Sequence, residues 1–157
     1  MFGDGFTRLA LRMKRGDRRA AAKLYDKLVF KVFGFCMSRV GRRDAAEDLT
    51  QEIFMKLIDR ISAFDEKRGS FLAWFWSLAR NSVADYFRAA GKDSLSLSIE
   101  SVLLQDVSAP AGLEELAADK MESDKVFSFI ALLSKEEREL FEFRYVAEAS
   151  YADISKI

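Results

Sequence analysis

A single proline in 157 residues, Pro110, and only eight glycines leave this chain almost free of the residues that end helices. Pro and Gly are the least favourable residues in a helix interior, so long uninterrupted helices are the default for such a chain. The breaks that exist are informative. Gly16-Asp17 separates a helical pattern from about Phe6 to Arg15 from a second one at Arg18 to Val40, with Asp17 as an N-cap. In the second pattern Ala21, Leu24, Tyr25, Leu28, Val32 and Phe35 recur at three- and four-residue spacing, which predicts a buried stripe. Gly41 ends it, and Asp44 is placed to cap a third helix whose apolar face is Ala45, Leu49, Ile53, Phe54, Leu57, Ile58 and Ile61. A loop over Ser62–Gly69 leads to a fourth helix, about Ser70 to Ala90, stopped by Gly91.

From Lys92 to about Gly112 the pattern changes to KDSLSLSIESVLLQDVSAPAG, rich in Ser, holding the one Pro and without a sustained helical period. It reads as a flexible linker. Helical periodicity resumes near Leu113 with Leu116, Met121, Val126, Phe127 and Ile130. Ser134-Lys-Glu-Glu137 has the form of a capping box for a helix running to about Ala147, and Ser150 is placed to cap another that holds Tyr151, Ile154 and Ile157 toward a core. The expectation is all-α: a four-helix unit over residues 1–91, a linker over 92–112, and a second helical unit over 113–157.

Several function classes are excluded by residue type. There is no histidine and one cysteine, Cys36, which removes zinc sites and His-dependent catalysis. Cys36, among Phe33, Phe35 and Met37, reads as a buried, inert thiol suited to a reducing cytosol. The carboxylates Asp44, Glu47, Asp48 and Glu52 lie on a predicted helix with no loop to wrap a cation, so a partner-facing or solvated face is expected rather than a metal site. No apolar run approaches the ~18 residues of a membrane span, and the first residues do not have the form of a signal peptide. Neither an enzyme nor a cofactor is expected, and no insertion into a membrane.

The formal net charge of zero conceals segregation. Residues 1–43 carry 12 Lys/Arg against three Asp/Glu, residues 44–66 two against seven, and residues 67–92 five against one. The linker side, 93–125, is acidic, two against eight. Two basic blocks flanking an acidic one suggest separate partners for each sign, the plainer account being ordinary solvated helix faces.

Three constellations stand out. In AAEDLTQEIFMKL, Asp48, Gln51 and Glu52 share a polar face opposite Leu49, Ile53 and Leu57. In FDEKRGSFLAWFWSLARN, the rings of Phe64, Phe71, Trp74, Phe75 and Trp76 surround a loop carrying Lys67 and Arg68. Rings and cations together are the ingredients of single-stranded DNA binding. The alternative is that most of these rings are core, which the four- and three-residue spacing of Phe71, Phe75 and Leu78 favours. In ARNSVADYFR, Asn81, Asp85 and Arg88 fall near one helix face with Arg80 on its shoulder; Asn and Arg suit base-edge and phosphate contacts, while Asp85 suits a structural pairing with Arg88 or Asn81.

Over Ala45–Arg88, AAEDLTQEIFMKLIDRISAFDEKRGSFLAWFWSLARNSVADYFR, the chain resembles the bacterial extracytoplasmic-function (ECF) sigma factors of the sigma-70 family. The string DLTQE and the match of WFWSLARNSVADYFR to the family pattern WLxxIARNxxxDxxR, with Phe75 and Leu78 at its apolar positions, carry the resemblance. It implies a region 2 helical bundle followed by a partial region 4 helix-turn-helix domain. It also implies binding of core RNA polymerase through the β′ subunit coiled coil by Asp48, Gln51 and Glu52. The loop Ala63–Ser70 would capture a base of the melted minus-ten element, with Phe64, Lys67 and Arg68 as favoured contacts, joined by Trp74, Arg80, Asn81 and Arg88. Promoter DNA, partly single-stranded, and an inhibitory anti-sigma protein are the further partners implied. In LLSKEERELFEFRYVAEASYADISKI the sequence resembles the start of the domain that reads the minus-thirty-five element; the turn and recognition helix would follow, so a longer protein is expected. The alternative is a sigma-like decoy that binds an inhibitor protein without engaging DNA.

Overall fold

A computed structural model describes residues 2–91, 132–141, 143–144 and 150–157. Among these residues all regular structure is helical, in line with the all-α expectation. The elements are α1 (Phe2–Lys14), α2 (Arg18–Val40), α3 (Arg43–Arg60), a 3₁₀ turn at Ile61–Ala63, α4 (Phe71–Ala89), and two short helices, α5 (Lys135–Phe141) and α6 (Tyr151–Ile154). The expected linker, and the periodic stretch from Leu113 to Ile130, lie outside the described residues.

The helix ends follow from side-chain chemistry. Asp17 sits in extended backbone at the start of α2, and its carboxylate accepts from the amides of Arg19 and Ala20 at 3.0 and 3.1 Å. It also holds Arg12, whose Nη2 is 2.7 Å from Oδ2, so one residue caps α2 and ties it back to α1. At the other end Gly41 adopts φ 68°, a left-handed conformation without penalty only for glycine, and its N–H returns to the Met37 carbonyl. Ser70 caps α4 by accepting from the Ala73 amide at 3.2 Å. Asp44 does not cap α3. The N-cap is Arg42, which makes no side-chain cap bond, and Asp44 lies inside the first turn paired with the Arg42 guanidinium. An acidic residue there still stabilises the positive end of the helix dipole. Ser134 and Glu137 form the expected capping box: Glu137 Oε2 accepts from the Ser134 amide at 2.8 Å, and Ser134 Oγ from the Glu137 amide at 3.2 Å.

The core lies between α2, α3 and α4, with α1 closing one side. Leu24, Leu28, Val32, Phe35 and Cys36 of α2 meet Leu49, Ile53 and Leu57 of α3 and Phe71, Phe75, Trp76 and Phe87 of α4, all nearly or fully buried. Complete burial of one such side chain is worth about 1.5–3 kcal/mol. The rings interlock at their edges: Phe75 stacks on Phe71 at 5.6 Å, and Trp76 meets both Phe35 and Phe75 at 5.5 Å between centroids. The expected stripes are right in their centre and wrong at their margins. Tyr25 is 49% exposed and Ile58 57%, because three-helix contact buries a narrower arc of each helix than the apolar residues span. Tyr151, expected to face a core, is exposed, whereas Ile154 and Ile157 pack against it.

Candidate partner- and DNA-binding surfaces

The acidic face of α3 is built as its periodicity requires. Leu49, Ile53 and Leu57 hold the helix to the bundle, leaving Asp48, Gln51 and Glu52 exposed on the far side. Asp48 and Glu52 line a shallow cleft of about 230 Å³ with Arg42, Asp44, Leu49 and Tyr86, the last reaching over from α4. The Arg42 guanidinium beside Asp44 holds that carboxyl below its ordinary value. Glu52 is braced by Lys56, 2.7 Å away and one turn on.

After the 3₁₀ turn the loop 63–70 and the start of α4 enclose an open cavity of about 300 Å³. Its walls include Phe64, Arg68, Ser70, Trp74 and Ser77. The loop is fastened from beneath by α1: Lys14 Nζ donates to the Phe64 carbonyl at 2.7 Å, and the Phe71 amide donates to Thr7 Oγ1 at 3.2 Å. Asp65 Oδ1 accepts from the Lys67 amide at 3.0 Å, which turns the loop and leaves Lys67 and Arg68 exposed. Trp74 is half-buried, its ring 5.5 Å from Phe64 and 6.0 Å from Phe71, so it shows a free surface to the cavity while resting on the core.

Two residues expected as DNA contacts are engaged within the chain. Phe64 is 1% exposed: its ring is edge-on to Phe71 at 5.7 Å, and it serves the core as the floor under Trp74. It is apolar and sits at a tight turn over the bundle, so burial wins over display. Arg80 has an exposed side chain, but its Nε lies 2.6 Å and its Nη2 3.2 Å from the Glu139 carboxylate. Asn81 and Arg88 are exposed on α4, with Arg88 Nη2 3.1 Å from Asp85, the structural pairing anticipated for that aspartate. Trp76 is fully buried.

Four contributors were not legible. Lys14 and Thr7 support the loop from 50 and 64 residues away in sequence, where no local spacing points to them. Lys56 had a signal, its place four residues after Glu52, but its reach to α4 depends on how the two helices cross. Glu139 reaches Arg80 from a stretch of the chain whose relation to α4 no pattern specifies.

Residues 24–93 match the family model for sigma-70 region 2, from within α2 to just past the end of α4. The chain is similar to the ECF RNA polymerase sigma factor BldN of Streptomyces coelicolor, 26% identical over 150 residues that cover 95% of this chain and 56% of BldN. It is 27% identical over 154 residues to the ECF RNA polymerase sigma factor SigD of Mycobacterium tuberculosis, covering 96% of this chain and 72% of SigD. With the ECF RNA polymerase sigma factor SigK of Mycobacterium ulcerans the identity is 29% over 153 residues, covering 98% of this chain and 81% of SigK. The chain therefore spans little more than half the length of the first of these relatives. No helix among the described residues is long and apolar enough to cross a membrane.

Proposed function

The chain being a member of the extracytoplasmic-function sigma-70 family, with that family's region 2 over residues 24–93, we propose that it binds core RNA polymerase, directs it to promoters and holds the melted minus-ten strand. The observation that carries this reading is the open cavity beside the loop 63–70. A half-buried indole, Trp74, forms one wall, Arg68 another, and exposed Asn81 and Arg88 lie further along the same helix. An unstacked base needs a ring to lie on, a cation for its phosphate and an amide or guanidinium for its edge, and each stacked base contributes about 1–3 kcal/mol. Lys67 extends the cationic rim.

The acidic face of α3, Asp48, Gln51 and Glu52, is the surface we assign to the β′ coiled coil of polymerase. It shares no lining residue with the cavity, so the two partners need not compete for the same side chains. The protein works in the cytosol and acts by binding alone: the energy of holding the single strand opens the duplex, and no bond in the chain or substrate is made or broken. An inhibitory protein that covers the acidic face would silence it.

Run-off transcription with purified core polymerase tests the assignment. Lys67→Ala with Arg68→Ala is expected to weaken promoter opening while core binding persists, and Asp48→Arg or Glu52→Arg to abolish core binding while the isolated chain still holds single-stranded DNA. No initiation by the complete gene product, together with tight binding to an inhibitor protein, would instead support a decoy.

A further inference from the structure

We propose that the segment carrying Glu139 and Phe143 is an intramolecular latch that covers the DNA-facing end of α4 and must be displaced before that end can take a strand. The inference rests on reading that end as DNA-facing. The latch makes one polar and one apolar contact, from residues spaced by about a helical turn. The Glu139 carboxylate lies 2.6 Å from Arg80 Nε and 3.8 Å from Arg39 Nη2, so it draws together cations from α4 and α2. Phe143 is 3% exposed and inserts its ring 5.6 Å from Phe35 and 6.1 Å from Trp76. The residues after α6 add a third contact: the Ile157 carbonyl accepts from Arg80 Nη1 at 3.4 Å, and Lys156 stands on the rim of the same cavity as Arg68 and Trp74.

Closure and DNA binding are mutually exclusive at Arg80. A phosphate would need the guanidinium edge that Glu139 holds, and a base entering the cavity would meet Lys156. The seat also has the character of a reversible contact. Trp76 Nε1 is buried with no hydrogen-bond partner among the described residues, while Phe143 lies edge-on to the same indole. A buried N–H left without an acceptor opposes closure, and opening relieves it by admitting water. The seven-residue α5 that carries Glu139 is too short to be stable alone, so its order depends on this docking. A latch held by one carboxylate, one ring and the few contacts of residues 154–157, against a counteracting orphan donor, is poised to release.

Binding of a short fluorescein-labelled single-stranded oligodeoxynucleotide, with small-angle scattering on the same samples, tests this on the full chain. Phe143→Ser changes no charge; Glu139→Gln removes the latch carboxylate, with Glu136→Gln as its charge-matched control. The first two are expected to enlarge the radius of gyration and tighten DNA binding by about fivefold or more, a coupling in the ordinary range for linked sites. Far-UV circular dichroism checks that the bundle is intact in each. The latch is overturned if Phe143→Ser and Glu139→Gln expand the chain yet bind DNA as the parent does, or if the double variant neither expands nor binds tighter. If neither parent nor expanded variants bind DNA, alone or with core polymerase, the DNA-facing reading itself is wrong, and the latch masks nothing.

Discussion

Lys56 of α3 donates from Nζ to Ser82 Oγ of α4 at 3.2 Å, joining the helix assigned to polymerase to the helix assigned to DNA. The same ammonium lies 2.7 Å from Glu52 and 3.9 Å from Asp85, so three groups on two helices share one cation. Ser82 is buried and its hydroxyl also donates to the Leu78 carbonyl at 3.0 Å, so it is not orphaned when Lys56 is lost. Lys56→Met keeps the apolar stem and removes the head. It is expected to lower stability by about 1 kcal/mol, the scale of one net hydrogen bond plus a weak exposed pair. Urea unfolding of Lys56→Met, Ser82→Ala and the double variant should give a coupling of about 0.5–1 kcal/mol; additive effects would mean that the contact does not hold α3 to α4.

Phe64 and Trp74 touch, but their substitutions should separate. Phe64→Ala empties a fully buried site beneath the loop and is expected to destabilise by about 3–5 kcal/mol, with loss of DNA binding only as a consequence of unfolding. Trp74→Ala removes a half-buried ring whose free face lines the cavity. Its affinity for single-stranded DNA should fall by a factor of about 5–150, the equivalent of about 1–3 kcal/mol of lost stacking, with the helical content unchanged. Denaturant titration and fluorescence anisotropy on both variants decide the matter. A Trp74→Ala protein that binds DNA as the parent does would remove the indole from the assigned surface.

The contrast between these two aromatics marks what was readable in the sequence. Helices α2, α3 and α4 were legible because Asp17, Gly41, Ser70 and Gly91 punctuate them chemically, and a cap acts through its own backbone neighbours. The central core residues were legible because the spacing of Leu24, Leu28, Leu49, Ile53, Phe71 and Phe75 leaves each helix one apolar side. Phe64 could not be assigned in this way. It lies in a turn without periodicity, and its ring packs on Phe71 and Trp74 of α4 in a loop that Lys14 and Thr7 of α1 fasten from far away in sequence. The pairing of Arg80 was not legible for a related reason: its partner Glu139 is 59 residues away, and such a pairing exists only once helices are placed in space.

Cys36 is expected to be chemically silent in the folded protein. Burial against the aromatic core pushes its thiol up to about 12, against the opposing hydrogen bond with the Thr50 side chain. Thiolate is the reactive form, and it is nearly absent at neutral pH for a group so placed. Ellman's reagent at pH 8 should therefore label the native protein only as fast as it opens, and label it at once in urea. Rapid labelling without denaturant would mean that the core between α2 and α3 breathes far more than its packing implies.

Asp17 should give the fold an acid limb. Its pKa is lowered from 3.8, first by the hydrogen bond from Arg12 and then by the amide of Ala20, so the native state favours the carboxylate more than the unfolded chain does. A group with a depressed native pKa contributes stability that is complete above its unfolded value and disappears as pH falls through the lower native one. The contribution is therefore full at neutral pH, begins to decline as pH approaches 3.8, and is gone below the native value. Asp17→Asn keeps an oxygen for the α2 amides but breaks the charge-assisted link to α1. Its melting temperature should lie below that of the parent at pH 7, and the two curves should converge as pH falls below 3.8. Asp44, lowered by Arg42, remains in both proteins and so cancels in the comparison. A gap between parent and variant that stays constant into acid would show that Asp17 acts on α2 as a neutral cap alone, with its ion pair to Arg12 contributing nothing.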